Sequence, residues 1–373
     1  MNVLIAPDKF KGSLTSFEVC TAIAEGIKSA NKNINVSLFP MADGGDGFGN
    51  VMQYYLNTTS IKCPTVNPLG KNIEAIYQWD AKSKTAIIEL AAASGLVLLK
   101  DEERNPLKTS TYGTGILIKK ALKKGVKKII LGIGGSATND AGTGILEALG
   151  FCFEDSKGNR LKACGENLLH INKIITPSLI PDVKFELACD VQNILYGPNG
   201  AAYVYAPQKG ANENDVRLLD DGLKNISSVF AQITGKNLSN IPGTGAAGGI
   251  VAGLKSFFDV TIVKGIDMVM AASNIHSKLA EADLIITGEG KIDVQSLQGK
   301  VVGKIAHLGS EAKIPVIAFC GWLETTPAEL KELNLSYVES IVNEHTGLEE
   351  AMANGGWLLK EKVRKYFIPN YKN

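Results

Sequence analysis

Hydrophobic positions along the chain follow two textures. Near both ends, short apolar runs each close on a turn rich in Gly, Asp or Pro, and apolar residues at helical spacing follow. Residues 2–6 form the first such strand. After it, Phe17, Cys20, Ala24 and Ile27 recur at helical intervals, and Thr15 and Glu18 have the spacing of a capping box. Residues 35–40 predict a second strand, with a helix to about Leu56. Residues 284–287, 316–320 and 337–342 predict three more buried strands. A last amphipathic helix, capped by Thr346 and Glu349, carries Leu348, Met352, Leu359 and Val363, and Gly299-Lys300 precedes another helix. The shared strand–helix alternation predicts one five-stranded parallel sheet built from the two ends of the chain.

Between those ends the pattern changes. Residues 61–68 and 73–80 read as antiparallel strands joined by Pro68-Leu69-Gly70-Lys71, with a further strand over 85–90. Ser110-Thr111-Tyr112-Gly113-Thr114-Gly115 opens a helix that closes at Gly125. A strand over 127–131 then runs into Gly132-Ile133-Gly134-Gly135-Ser136-Ala137-Thr138-Asn139-Asp140, and a helix follows with Ile145, Leu146 and Leu149 on its apolar face. A hairpin over 151–161 turns at Lys157-Gly158-Asn159, and a short buried strand over 185–188 delivers Asp190. Residues 207–230 are mostly helix, with Leu218, Leu219 and Leu223 as its core face. The run Pro242-Gly243-Thr244-Gly245-Ala246-Ala247-Gly248-Gly249 enters a helix ending near Phe257, and its glycines suit close helix packing and a nucleotide contact equally. The expected fold is therefore α/β. A flavodoxin-like, Rossmann-type domain is formed by 1–58 with 281–373, and a second α/β domain is inserted over 59–280.

Composition narrows the function. A length of 373 residues predicts two domains, and a net charge of +1 argues against a nucleic-acid or membrane-surface role driven by bulk charge. The longest apolar stretch, 86–99, contains Glu89 and falls short of the roughly 20 residues that span a bilayer. The opening residues read as a strand, not as a secretory leader. Six cysteines show no zinc or Cys-x-x-Cys spacing, which fits a reducing cytoplasm. With four arginines and four histidines in all, and no histidine in a Gly-rich stretch, phosphate charge would fall to lysine, backbone N–H and metal, and proton transfer to carboxylates.

The candidate chemistry sits at strand ends. Glycines let backbone N–H groups point at a ligand, and a helix N-terminus carries about half a positive charge. The loop Gly134, Gly135, Ser136, Ala137, Thr138 and Asn139, followed by a helix, thus reads as a phosphate seat. Asp8, Lys9, Lys11 and Ser13 follow the first strand, where the two lysines beside Gly-Ser suit an anion, although lysines in such a loop are often only solvated. Asp43, Gly44 and Asp46 follow the second strand, where carboxylates would face hydroxyls or a metal, unless the run is only a tight turn. Gly288, Glu289, Gly290, Lys291 and Asp293 form a loop after 284–287. Asp43, Asp46, Asp190 and Asp293 are the base candidates for phosphoryl transfer, a reaction needing positioning, Mg²⁺ and a base. No Walker A motif occurs. The rival reading, a nicotinamide or flavin oxidoreductase with its dinucleotide on Gly132–Gly135, lacks both a third glycine and the acidic residue about 20 positions on.

Seven stretches occur together in one order: Ala6-Pro7-Asp8-Lys9-Phe10-Lys11-Gly12-Ser13-Leu14, Pro40-Met41-Ala42-Asp43-Gly44-Gly45-Asp46-Gly47, Thr111-Tyr112-Gly113-Thr114-Gly115, residues 132–140, Ala188-Cys189-Asp190-Val191, residues 243–249, and residues 288–293 with Gln295 and Gly299-Lys300. In this the sequence resembles the bacterial glycerate kinase family, type I. The resemblance implies ATP-dependent phosphorylation of D-glycerate with Mg²⁺, at C2 rather than C3, in a cytoplasmic enzyme of glyoxylate, glycolate or sugar-acid catabolism. It also implies an active site in a cleft between the two domains, and it leaves a homo-oligomer open. On this reading residues 134–138 cradle ATP phosphates, and Gly288, Glu289, Gly290 and Lys300 assist. Lys11 and Ser13 bind glycerate carboxylate or γ-phosphate, Asp8, Asp43, Gly44 and Asp46 line the substrate, and Asp190, Asp293 and Lys291 serve the chemistry, with Asp190 toward the metal. Three departures from the family pattern stand out: Asn193-Ile194-Leu195 in place of Asn-Pro-Leu, Lys291 in place of Arg, and Asp46 in place of Glu. The Lys291 change keeps the charge but loses a bidentate grip.

Overall fold

A computed structural model of the chain describes residues 1–297, 300–343 and 345–370. Gly299 therefore lies outside the described residues. The strands in chain order are β1 (Asn2–Ile5), β2 (Asn35–Leu38), β3 (Thr59–Val66), β4 (Asn72–Asp80), β5 (Thr85–Glu89), β6 (Lys128–Gly132), β7 (Cys152–Glu154), β8 (Arg160–Leu161), β9 (Lys173–Ile175), β10 (Lys184–Ala188), β11 (Asp259–Val263), β12 (Leu284–Ile292), β13 (Val316–Leu323) and β14 (Tyr337–Ser340). The chain divides into two compact units, residues 1–43 with 266–373 and residues 44–265. Both boundaries fall earlier than the sequence pattern places them. The helix Phe48–Leu56 packs on β4 and β5 of the second domain, so it leaves the first.

The first domain is a five-stranded sheet in the order β14-β13-β12-β1-β2, parallel throughout. Counted along the domain this is 2-1-3-4-5, the flavodoxin-like order, whose switch point lies between β1 and β12. Val3, Ile5, Leu284, Ile286, Ile317 and Phe319 pack with Val19, Ile23 and Ile27 of the helix Ser16–Ala30 and with Leu359, Val363 and Phe367 of the last helix. Thr15 accepts the Glu18 N–H while Glu18 accepts from Thr15, so the expected capping box forms. Leu348 and Met352 are exposed, which shortens the apolar stripe expected of the last helix.

One expectation about β12 is corrected. Residues 288–292 continue the strand, with Gly288 opposite Phe319, Glu289 opposite Cys320 and Lys291 opposite Trp322. Two glycines signal a loop to a sequence reading. Here Gly288 is needed because a Cβ would lie 2.2 Å from the Phe319 carbonyl oxygen.

The second domain has a six-stranded sheet, β11-β10-β6-β5-β4-β3, parallel from β11 to β5 and antiparallel across β5-β4-β3. A small antiparallel sheet, β8-β7-β9, carries the expected hairpin. Within the helix Ala246–Phe257, residues Ala247, Gly248 and Gly249 take left-handed backbone angles. A Cβ on Gly248 would lie 2.2 Å from the Thr138 carbonyl oxygen, so this glycine run serves close packing against residues 138–141.

The helix Glu213–Thr234 corrects a second detail. Leu219 and Leu223 are fully buried, but Leu218 is 49% exposed. At about 100° per residue Leu218 lies at the edge of the face centred near Leu219, Leu223 and Ile226, which are buried. Leu219→Ala is therefore expected to cost about 2–5 kcal/mol and Leu218→Ala to stay within about 0.5 kcal/mol. Denaturant midpoints of the two variants check this, and equal midpoints would contradict the assignment.

Candidate functional site

Each domain gathers its own set of predicted residues. In the first, the chain leaves β1 at its carboxyl end, where the Asp8 N–H bonds to the Gly288 carbonyl at 2.8 Å. This pairing sets Asp8 beside β12, at the switch point where ligands collect in such sheets. Asp8 is only 6% exposed, and its carboxylate accepts the Lys9 N–H at 2.7 Å. Burial first, then the charges of Asp43 and Glu289, push its pKa up to about 8 against the pull of Lys9. Glu289 is likewise buried and pushed up to about 7. Burial is the main cause, Asp293 and Asp43 add to it, and the Ser296 hydroxyl and Lys300 oppose it. The structure thus joins Asp8, Asp43, Glu289, Asp293 and Lys300 into one electrostatic group. Glu289, expected among the phosphate contacts, belongs here with the carboxylates.

Other predicted residues of this domain take different places. Ser13 donates its hydroxyl hydrogen to the Met352 carbonyl at 2.9 Å, tying the loop to the last helix. Lys11 is exposed. Lys291 pairs with Glu324 and lies 3.7 Å from Asp293, and the Glu324 carboxylate raises its pKa.

In the second domain three predicted motifs meet. The Gly134 N–H reaches the Gly44 carbonyl at 3.4 Å, and a Cβ on Gly134 would lie 2.5 Å from Gly45 Cα. Gly44 in turn packs against Ala188, two residues before Asp190. Asp46 is exposed at the turn between Gly45 and Gly47. Glu89, at the end of β5 and opposite Gly132, accepts the N–H groups of Gly49 and Gly47 at 2.5 and 3.2 Å. It therefore caps the helix Phe48–Leu56, whose start lacks a side-chain cap of its own.

The expected phosphate seat at residues 134–139 lacks the free helix N-terminus that the sequence pattern predicts for it. Its following helix, Thr143–Ala148, is short, and its N-terminus is already occupied. The Asp140 carboxylate, with no exposed surface, accepts from the Thr111 N–H (2.7 Å), the Thr111 hydroxyl (2.8 Å), Gly142 N–H (3.1 Å) and Gly144 N–H (3.2 Å). The helix dipole is spent on the protein's own carboxylate, so anion binding by this loop would rest on residues 134–139. Gly135 takes a positive φ, and Ser136, Ala137, Thr138 and Asn139 are buried. Beneath them Lys209 donates to Ser136 Oγ at 2.8 Å and to the Thr138 carbonyl at 2.7 Å.

Sequence reasoning missed Glu89 and Lys209. Glu89 did leave a signal, as the lone charge in the apolar run 86–99. Lys209 left none, since a lysine before a glycine usually marks a solvated helix end.

Comparison with known proteins agrees with this architecture. The model of the glycerate kinase family matches residues 3–367. A glycerate kinase of Halalkalibacterium halodurans is 41% identical over 98% of this chain and 97% of its own length. The Escherichia coli K12 glycerate 2-kinase is 38% identical over 94% of this chain and 93% of its own. A crystal structure from Salmonella typhimurium LT2, provisionally named glycerate kinase 2, matches with a TM-score of 0.83 and 36% identity, covering 98% of this chain and 97% of that one. The chain is an enzyme of the kinase class. It belongs to the glycerate kinase family.

The raised carboxyl groups carry a stability consequence. Asp8 titrates near 3.8 when ordinary and near 8 here, so the folded state holds a proton that the unfolded state loses between those values. The associated stability is complete below the ordinary value and is lost as pH rises to about 8. Asp8→Asn, neutral throughout, is expected to flatten the fall in melting temperature between pH 5 and 8.5. Parallel melting profiles for variant and wild type would show that Asp8 holds no such proton.

Proposed function

We propose that this enzyme transfers the γ-phosphoryl group of ATP to D-glycerate and that its product is 2-phosphoglycerate. The observation that carries this reading is the full-length similarity to relatives named glycerate kinase, one of them named glycerate 2-kinase. In the reaction a glycerate hydroxyl oxygen bonds to the γ-phosphorus, the bond to the bridging oxygen breaks, and ADP leaves. The hydroxyl proton passes to a carboxylate.

Asp8 and Glu289 both fit that last role, because a general base works best with a pKa near the working pH and adds about 10²–10⁴ in rate. This shifts the base assignment away from Asp43, Asp46, Asp190 and Asp293. Asp43 and Asp46 remain for the substrate hydroxyls, and Asp293 and Lys300 for tuning the charge around Glu289. Lys11 and Lys291 are cations for the glycerate carboxylate or the phosphates. Gly134, Gly135, Ser136, Ala137, Thr138 and Asn139 hold the phosphate chain.

Mg²⁺ fits these residues as a partner of ATP. Among the described residues no three His, Cys, Asp or Glu side chains form a ready-made metal cage. Mg²⁺ commonly binds through one or two carboxylates plus substrate phosphates, and Asp190 is the carboxylate we assign to it. When bound, Mg²⁺ neutralises charge developing on the phosphate oxygens. All six cysteines are free, which supports a reducing compartment, and no helix among the described residues is long and apolar enough to cross a membrane.

ADP release is expected to depend on D-glycerate, with phosphorus NMR showing 2-phosphoglycerate. A 3-phosphoglycerate product would reverse the orientation of bound glycerate, and turnover only with another hydroxy acid would sink the substrate assignment. Asp190→Asn is expected to cut kcat about 10²-fold or more while changing the KM for ATP far less. Unchanged kcat would remove Asp190 from the chemistry.

A further inference from the structure

Lys209 is 2% exposed, an unusual place for an ammonium group. It ends the short turn Pro207–Lys209, and Gly210 closes that turn at φ 96° with its N–H on the Pro207 carbonyl. Two of its three N–H bonds are spent within residues 134–139, on the Ser136 hydroxyl and the Thr138 carbonyl. The acid it senses is Asp140, whose carboxylate already accepts four other hydrogen bonds. The negative charge of Asp140 holds the lysine's proton in part, but burial outweighs it and pushes the lysine down to about 7.

A second observation points the same way. The Thr138 hydroxyl and both polar atoms of the Asn139 amide are fully buried, and among the described residues none of them has a hydrogen-bond partner. Buried amides are paired in nearly all proteins. The Asn139 Oδ1 can only accept, but the Asn139 amide N–H and the Thr138 hydroxyl are donors left unspent beside that buried cation, an arrangement that suits an anion.

We propose that Lys209 is the positioning lysine of the phosphate loop. It fixes Ser136 and Thr138 from beneath, and its charge makes residues 134–139 selective for the phosphate chain of the nucleotide. The proposal rests on the reading of 134–139 as the phosphate-binding loop. Arginine would not replace it, because a guanidinium cannot give up its charge on burial when the site is empty.

The test uses the full chain as wild type, Ser136→Ala, Asn139→Ala, Lys209→Met and Lys209→Gln. Calorimetry measures affinity for a non-hydrolysable ATP analogue with Mg²⁺, beside the KM for D-glycerate, kcat and melting temperature. Lys209→Met is expected to weaken nucleotide binding about tenfold or more, one decade of Kd, with the glycerate KM nearly unchanged and the melting temperature no lower. Lys209→Gln, which keeps a donor for the Thr138 carbonyl, falls between.

If Ser136→Ala and Asn139→Ala lose nucleotide affinity but folded Lys209→Met does not, the lysine proposal fails alone. If all three bind nucleotide as wild type does, the loop reading fails and the proposal with it. A lower melting temperature with nucleotide affinity intact in the folded fraction makes Lys209 merely structural and also overturns it. Should Lys209→Met not fold, Lys209→Gln decides: weaker nucleotide binding with the glycerate KM intact supports the proposal, and wild-type affinity overturns it.

Discussion

The Asp140 carboxylate, sealed from solvent, holds the starts of two helices and one loop together. It accepts from Thr111 at the head of the helix Tyr112–Lys123 and from Gly142 and Gly144 at the head of Thr143–Ala148. Thr111 Oγ1 extends the network by accepting the Ile145 N–H at 3.0 Å. Burial alone would neutralise this aspartate, and the hydrogen bonds favour its charged form. Its neighbour Ala141 sits at positive φ and bonds through its N–H to the Gly248 carbonyl, so the glycine run 243–249 is fitted to the same loop. The backbone just after residues 134–139 is thus fixed by the protein's own contacts.

Desolvation acts in opposite directions on the two sets of charged groups. It lifts Asp8 and Glu289 to about 8 and about 7, and it lowers Lys209 to about 7. Ordinary acids and amines lie several units to either side, yet these three converge on neutral pH. Such convergence destabilises the folded protein relative to apolar replacements, and active sites commonly carry that cost. The exposed pairs, such as Lys62 with Glu74, sit in water where pairing contributes little. Charge is chemically poised only where the fold has removed the solvent.

Much of this was legible in the sequence, because the elements rest on local signals. Capping spacing at Thr15 and Glu18, the turn between β3 and β4, and the apolar runs of β1, β12 and β13 each announce themselves within a few residues. Four other features depend on tertiary contact. Glu289 reads as a loop residue until β13 is seen to pair with it, and Leu218 reads as core until the helix phase is fixed. The Asp140 cap needs Thr111, which lies 29 positions away, and the Lys209 bond to Ser136 spans 73 positions. The Gly-rich motifs gave no sign of which neighbouring charges would be buried beside them.

The scarcity of arginine follows from the same constraint. Arg104, Arg160 and Arg364 pair with Asp101, Glu147 and Glu361 in partly exposed ion pairs. A guanidinium stays charged wherever it is placed, so it is well used at the surface and costly in a closed pocket. An amine lowers its pKa when solvent is removed and regains its proton when an anion approaches. The buried cation beneath residues 134–139 is accordingly a lysine, the side chain that can shed its charge where solvent is removed.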